Sequence, residues 1–401
     1  MKKKLIIIGG GAAGYFTAIN AAEQSDQLDI TIIEQNKESL NKVRISGGGR
    51  CNVTNTCSDP KILAGNYPRG NKALIGPFHS FNSADTVQWF EDRGVELKAE
   101  ADGRMFPVSD QSSTVIDCFH ELCKVHNITI KLSEKVVVFQ FVNDQWHIST
   151  NKSKYKGDFI MIAAGSSTTF WNHLSNLGHK IVPPVPSLFT FNTKDTRLRD
   201  LSGLSVANVE VSISDTKIIT NGPLLITHWG MSGPAILKAS AWAARHLYDC
   251  NYKFTISIDW LPTMDAEKWK ALKIEMGNKF VLSNAITLPQ RLWKSILSGH
   301  VKEDQRWSDL SNVKLEEIYN LLKYSIFDIN GKSTFKEEFV TAGGVDLDEV
   351  NFKSFSSKLH PRMYLAGEIL DIDAVTGGFN FQAAWTGGYL AAMDIVKRGE
   401  M

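Results

Sequence analysis

The stretch from Lys3 to Glu34 constrains this chain more than any other. The apolar run Lys3–Ile8 is expected to form a buried strand. It enters Gly9-Gly10-Gly11-Ala12-Ala13-Gly14, which fits G-x-G-x-x-G with glycines at 9, 11 and 14. A helical pattern follows to about Glu23, and a second strand from about Asp29 to Ile33 ends at Glu34. Glu34 lies 20 residues beyond Gly14, close to the ~20 that separate such glycines from a ribose-binding acid. Each part has a physical reason. Gly9 allows a sharp exit from the strand, Gly11 lets a diphosphate approach the backbone, and Gly14 lets the helix pack close. The helix start, with Ala12 and Ala13 in its first turn, offers free N–H groups and the positive end of the dipole. Glu34 can accept from ribose hydroxyls, its charge opposes a 2′-phosphate, and Gln35 follows it. The glycines alone are weak evidence. With strand, helix, second strand and acid in register, they point to a bound dinucleotide rather than a structural turn.

At 401 residues, with 43% hydrophobic and 22% charged content, the chain can bury one large core or two to three smaller ones. A net charge of +1 supplies no global basic field, so no nucleic-acid partner is expected. No window approaches the ~18 apolar residues of a membrane span. The start, MKKKLIIIGGG, is expected to be the strand and glycine turn rather than a leader, because its apolar run ends at the glycines. The five cysteines form no C-x-x-C pair, which favours free thiols in a reducing cytoplasm and no metal centre.

Further along, Lys42-Val43-Arg44-Ile45-Ser46-Gly47-Gly48-Gly49-Arg50-Cys51-Asn52 cannot be one regular element. Its backbone must follow a tight path that presents N–H groups inward, suited to an anion or a ring edge. Arg50 suits a phosphate or an electron-rich ring edge. Cys51 is expected to be a small buried residue rather than a nucleophile. Ser83–Arg93 is expected to be a helix with Ser83 as its N-cap, and Ser112–Val125 another. Phe159–Ile162 is a buried strand closing on Ala163-Ala164-Gly165, where a nucleotide can lie against the strand's carboxyl end.

Three prolines in Val182–Pro186 mark a stiff connector and a domain boundary. Short strands follow to Leu261, among them Ala207–Ser214, Lys217–Ile219 and Tyr252–Asp259, with a helix from about Pro234 to Leu247. His228 and Trp229 are candidates for a substrate surface. From Asp265 to Phe327 the pattern is helical throughout. Arg362–Glu368 is a strand ending in Gly367 and an acid, and Glu368 can accept from a polyol chain. Gly377-Gly378 opens a final helix of about 14 residues through Ile395, whose start lets a ring approach and favours negative charge.

These motifs together carry a resemblance. GGGAAG at 9–14, SGGGRCNVTN at 46–55, GRMFP at 103–107, THWGMSGPAIL at 227–237, TAGGV at 341–345 and AGEILDIDAVTGGFNFQAAW at 366–385 resemble the HI0933-like flavoproteins. That group includes enzymes called aminoacetone oxidase and bile-acid-type enoate reductases. The resemblance implies an α/β fold in three parts. Residues 1–186 and 336–401 would form a Rossmann-like FAD-binding domain from both chain ends. Residues 187–264 and 325–335 would form an inserted antiparallel β-barrel, and 265–324 a helical insert. Gly9, Gly11, Gly14 and Glu34 would hold the ADP half of FAD. Lys42, Gly48, Gly49, Arg50, Cys51 and Asn52 would lie along the cofactor. Val136, or its neighbour Val137, would meet adenine through the backbone. Glu368 would bind the ribityl chain, and Gly378, Phe379, Asn380 and Phe381 the ring. Ala374 stands where the family pattern has a glycine.

The expected function is FAD-dependent hydride transfer between flavin N5 and a small organic substrate or NAD(P)H. With no second G-x-G-x-x-G, NAD(P)H would be a transient electron donor. Two alternatives are a flavin-free NAD-dependent dehydrogenase and a flavin-containing tRNA-modifying or RNA-binding protein. The latter needs a Lys/Arg stripe with interleaved aromatics, and none is evident.

Overall fold

The computed structural model describes residues 2–283, 286–333 and 340–400. The chain divides into two compact units, Met1–Val185 with Lys336–Met401, and Pro186–Phe335. The expected boundary at 335–336 falls outside the described residues.

The first unit is built on a seven-stranded sheet. Its order is Val350–Asn351, Ser356–Ser357, Met363–Leu365, Phe159–Ile162, Lys3–Ile8, Leu28–Ile33 and Thr129–Lys131. The opening strand pairs in parallel with Phe159–Ile162 on one side and Leu28–Ile33 on the other. Met363–Leu365, from the far end of the chain, pairs in parallel with Phe159–Ile162. The run Leu5–Ile8 is unbroken apolar sequence because both faces of a central parallel strand are buried.

Two helices lie along each other on this sheet, Ala12–Gln24 and Phe379–Gly399. The second helix can approach the first because it has no side chain at Gly388. A Cβ there would stand 2.9 Å from the Ala13 carbonyl oxygen and 3.2 Å from Thr17 Oγ1. The closing helix spans 21 residues rather than about 14, since Leu390, Ala391, Ala392, Ile395 and Val396 carry its buried stripe further. Phe16, Trp89, Phe119 and Trp385 interlock beside it, with Phe16 and Trp89 centroids 4.6 Å apart and Phe16 and Trp385 5.2 Å apart. Burying each such ring removes roughly 150–250 Å² from water, or about 4–6 kcal/mol gross at 25 cal/mol per Å².

Local expectations were revised in three places here. The helix Ser83–Glu91 is capped by Asn82, not Ser83, through a capping box with Asp85. Asn41–Ile45 is helical before the glycines unwind the chain. The proline connector is a strand, Ile181–Ser187, paired with Val340–Val345 in a two-stranded ribbon, where proline costs no ladder donor at a free edge.

The second unit is organised by a seven-stranded sheet ordered Ser325–Asn330, Lys253–Asp259, Ser205–Ile213, Ile219–Ile226, Gly230–Ser232, Thr190–Asn192 and Lys332–Ser333. Its ladders are antiparallel. Ile219–Ile226 is a longer strand than expected despite Pro223. The register shifts between Val206 and Val209, opposite the proline that cannot donate. The helical reading through Phe327 also fails at its end. Asn312–Lys323 is the last helix, and Ser325–Asn330 alternates buried and exposed residues as a strand. Helices Ala266–Met276, Gln290–Leu297 and Asn312–Lys323 share one core with the sheet, in which Trp260, Trp269, Trp293 and Trp307 pack with Val211, Ile258 and Phe327. Among the described residues no helix is long and apolar enough to cross a membrane.

Candidate functional site

The opening turn is shaped by close backbone approach. Gly9 has φ 110°, and a Cβ on it would stand 2.2 Å from the Ala163 carbonyl oxygen. A Cβ on Gly14 would stand 2.1 Å from the Gly9 carbonyl oxygen. Gly11 is different, because nothing lies within 4 Å of its Cβ position. It is also the N-cap of Ala12–Gln24, and no side chain caps that helix. The first-turn N–H groups of Ala12, Ala13 and Gly14 therefore sit behind an open cradle.

Glu34 ends the neighbouring strand and is 9% exposed. Its Oε2 accepts from the Gly10 N–H at 2.8 Å, and its Oε1 from the Asn36 backbone and side chain at 2.8 and 2.7 Å. Those bonds fix the carboxylate, fill both lone pairs of Oε1 and leave Oε2 one lone pair for a hydroxyl. Gln35 is exposed beside it. The Glu134 N–H donates to the Glu34 carbonyl at 2.9 Å, which brings the start of strand Val136–Val142 alongside. Val136 is buried, and the ladder shifts register between Val136 and Val138.

In the second glycine run, Gly47, Gly48 and Gly49 have φ of 59°, 69° and 86°. A Cβ on Gly47 would meet Phe106 Cε1 at 2.7 Å, whereas the Gly48 and Gly49 positions face open space. Arg50 is committed to the protein. Its Nη1 donates to Glu100 Oε1 at 2.6 Å, its Nε donates to the Gly47 carbonyl at 3.3 Å, and its guanidinium lies 4.0 Å from the Phe106 centroid. Arg50 thus clamps the glycine run from outside, a role not expected from its place beside the glycines. Cys51 is fully buried with φ 63°, and burial pushes its thiol up to about 12. It remains a protonated thiol at neutral pH.

The loop is tied to the start of the closing helix. With its amide turned to match its neighbours, Asn52 accepts from the Gly378 N–H at 2.9 Å and donates to the Thr54 carbonyl at 3.0 Å. Asn55 Nδ2 donates to the Gly377 carbonyl at 3.1 Å, and Tyr67 donates to the Phe379 carbonyl at 2.5 Å. Gly378 has φ 87°, and a Cβ on it would stand 2.4 Å from the Thr54 carbonyl oxygen. Its lack of a side chain serves that backbone contact. Gly378 is the N-cap of Phe379–Gly399, again without a side-chain cap. Asn380 closes on Ala374, accepting from its N–H at 3.0 Å and donating to its carbonyl at 3.3 Å. The Phe381 ring stacks on Trp385 at 5.5 Å.

Two further expected residues sit near the first helix. The Cβ position of Gly367 stands 3.4 Å from Ala13 Cβ, and Glu368 pairs with Lys42. Gly165, following Ala164, has φ 63° and an open Cβ position. In the second unit Trp229 is 66% exposed on a turn closed by the Thr227 N–H to the Gly230 carbonyl at 2.8 Å, and His228 is exposed beside it.

Sequence reasoning missed several groups that shape this site. Gln382 is fully buried, accepts from Thr54 at 2.5 Å and Thr86 at 2.9 Å, and donates to Thr386 at 3.1 Å. Arg69 grips Asp373 through two guanidinium nitrogens. Their partners lie some 300 residues away in sequence, which leaves no local signal. A cavity of about 440 Å³ beside helix Ser112–Val125, lined by Asp117, His120, Glu121, Cys123, Lys124, Ile128 and Ile130, contains none of the expected site residues. Among the described residues no His/Cys/Asp/Glu group is arranged to hold a metal.

The donor set fits an FAD. Two helices on one sheet begin uncapped at glycines, one behind an open cradle, with a fixed acid at the end of the next strand. Other helices of the chain begin under Asp59, Asn82, Ser167, Asp265 and Ser311, and those that open at Gly70 and Gly233 also lack a side-chain cap but have protein packed against the glycine where Gly11 faces open space. Fold and site together define a Rossmann-type protein of the FAD-dependent oxidoreductase class. More closely, the chain belongs to the HI0933-like family, because the model for the HI0933-like protein Rossmann domain matches residues 3–394.

Curated relatives agree over nearly full length. A 3-dehydro-bile acid delta(4,6)-reductase from Clostridium scindens is 26% identical over 98% of this chain and 98% of its own length. A ribosomal RNA dihydrouridine synthase from Haemophilus influenzae is 27% identical over 98% of each chain. Among solved structures, the 3-ketosteroid delta1-dehydrogenase from Sterolibacterium denitrificans aligns at a TM-score of 0.51 and 10% identity, over 99% of this chain and 100% of its own. The 3-ketosteroid-delta4-(5alpha)-dehydrogenase from Rhodococcus jostii aligns at 0.50 and 10%, over 98% of this chain and 97% of its own. At that identity the likeness is one of fold alone.

Proposed function

We propose that this enzyme uses FAD to reduce a carbon–carbon double bond conjugated to a carbonyl in a small organic molecule. The observation that carries the reading is the pair of uncapped helix starts. Ala13, in the first turn of one helix, abuts Gly388 of the other. Gly388 lies ten residues past Gly378, so the two helix starts are offset by roughly 15 Å along the second axis. That offset suits a diphosphate at one end and a flavin ring at the other, with the ribityl chain between.

In this reading Gly11, Ala12, Ala13 and Gly14 receive the diphosphate, and Glu34 with Gln35 the adenosine ribose. The backbone near Val136 borders adenine. Lys42, Gly48, Gly49, Ala164, Gly165, Gly367 and Glu368 line the middle. The N–H groups of Phe379, Asn380 and Phe381 face the ring's N1 and C2 oxygen, where the helix dipole favours negative charge. Arg50, Cys51 and Asn52 hold that geometry from behind. The bound flavin supplies hydride transfer at N5, and the protein supplies orientation and the exclusion of water. NAD(P)H serves as a transient donor.

The chemistry is suggested by what the relatives' names share. A delta(4,6)-reductase and a dihydrouridine synthase both saturate a double bond conjugated to a carbonyl. The second name favours one further reading, that the acceptor is a uracil base in RNA. We also propose that the second unit's sheet closes into a barrel with a helical insert over 265–324. Its outermost strands, Ser325–Asn330 and Lys332–Ser333, are separated only by Gly331, so one stretch of chain pairs with Lys253–Asp259 on one side and Thr190–Asn192 on the other.

Purified protein reconstituted with FAD should be yellow, bleach anaerobically with NADH or NADPH, and recolour on adding a conjugated enone. Recolouring only with uridine-containing ribosomal RNA would select the second reading. A protein that takes up no FAD would refute both, and leave the flavin-free NAD-dependent dehydrogenase.

A further inference from the structure

The turn at 371–377 feeds directly into the helix start assigned above to the flavin ring, so its shape sets where the Phe379–Phe381 N–H groups point. Residues 66–70 hold that turn from outside. Asp373 is fully buried and forms a two-point ion pair with Arg69, through Nε and Nη2. The Arg69 and Asp373 backbones form an isolated antiparallel bridge. The Val375 N–H donates to the Asn66 carbonyl at 3.0 Å. Gly70, at φ 89°, brings the loop so close that a Cβ would stand 2.8 Å from Ile372 Cγ1. Tyr67, in the same loop, reaches the Phe379 carbonyl at the helix start. One five-residue loop therefore touches the turn at its beginning, middle and end.

We propose that Arg69 and Asp373 are positioning residues for the flavin: their ion pair sets the turn, and through it the helix start that receives the ring. The inference rests on the flavin being bound where the preceding section places it. Two physical effects follow. The planar fork of Arg69 meets both carboxylate oxygens, which fixes the rotation of Asp373 as well as its position, and a lysine ammonium cannot do this. Arg69 also neutralises a buried carboxylate that would otherwise oppose the negative charge of a reduced flavin at the same helix start. Asn380, closed on both backbone groups of Ala374, relays the turn's shape to the helix.

The test compares the whole chain with R69K, which keeps the charge and loses the fork, and with R69M/D373L, which replaces the pair by apolar groups of similar size. Three quantities are read: the melting temperature of the FAD-free protein, the dissociation constant for FAD, and the reduction potential of the bound flavin. The expected result is weaker FAD binding by at least ~10-fold and a lower potential in both variants, with R69M/D373L recovering most of the melting temperature. FAD affinity and potential equal to wild type in a folded variant would overturn the proposal and leave the flavin reading intact. Wild-type protein that binds no FAD would overturn that reading, and this proposal with it. Should R69K fail to fold, R69M/D373L gives the same decision.

Discussion

Gly11 and Gly14 stand three residues apart in one turn, yet substituting alanine at each should have opposite consequences. At Gly14 the new Cβ would lie 2.1 Å from the Gly9 carbonyl oxygen and 3.3 Å from Ile7 Cγ2. Both neighbours belong to the central strand and its exit, so the helix must shift by about an ångström against a packed sheet. Overpacking of that kind costs about 1–3 kcal/mol, or roughly 2–10 °C in melting temperature for a unit of this size. At Gly11 the Cβ would meet nothing within 4 Å, and φ is −97°, ordinary for any residue. Gly11→Ala should therefore cost the FAD-free protein no more than about 1 kcal/mol, the loss of a glycine at an N-cap. Its methyl group would instead occupy the cradle in front of the Ala12–Gly14 N–H groups. An intrusion of the same 1–3 kcal/mol, now charged to binding, weakens FAD by roughly 5- to 150-fold. Thermal melts of the FAD-free variants and fluorescence titrations with FAD separate the two effects. Gly11→Ala that binds FAD as tightly as wild type would show that the diphosphate does not lie there, and the assignment of the opening turn would fail.

Other consequences concern stability and reactivity. Gln382→Ala leaves the buried Thr54 hydroxyl without its acceptor, while Thr86 keeps the Asn82 carbonyl at 3.1 Å, and should cost about 1–3 kcal/mol by urea unfolding, far more than an exposed glutamine would. His179 is buried against Glu349 Oε2 at 2.7 Å and Ser357 Oγ at 3.1 Å, with the His360 ring 5.6 Å away. Burial holds its ring below the usual imidazole range against the opposing pull of Glu349. The unfolded chain then binds a proton that the folded chain refuses, so stability is full above pH ~6.5 and falls on acidification below it, by at most about 1.4 kcal/mol per pH unit from this group. His179→Gln should flatten that slope in melts taken from pH 8 to pH 5, and an unchanged slope would clear His179 of responsibility. Cys51, with its thiol pushed up to about 12, should resist alkylation at pH 8 in the folded protein and react only after denaturation. Cys51→Ala should retain FAD binding.

The local signals in this chain were those that depend on neighbours in sequence. The apolar run Lys3–Ile8, the spaced glycines and an acid at the end of the second strand mark out the opening strand, glycine turn, helix and second strand without any long-range knowledge. The structure adds why Gly9 and Gly14 must lack side chains, namely the Ala163 backbone beside Gly9 and the Gly9 carbonyl beside Gly14. Where periodicity was ambiguous the reading slipped. Ile326 and Phe327 fit the tail of an amphipathic helix until pairing with Lys253–Asp259 draws them into a strand. The proline run at 182–186 resembles a connector until Val340–Val345 lies beside it.

By itself, then, the sequence settled the chemistry of the turns: which residues could bend sharply, leave N–H groups free, or end a strand in a carboxylate. Those properties belong to a residue and its immediate neighbours. Only the tertiary structure decided what Arg50, Asp373, Gln382 and Gly378 do. Arg50 pairs with Glu100, and Gly378 makes room for the Thr54 carbonyl. Each has a deciding partner between 50 and 328 residues away. The physical reason is that a charge or an amide is defined by what neutralises or satisfies it, and in a folded chain that partner is chosen by packing, not by order.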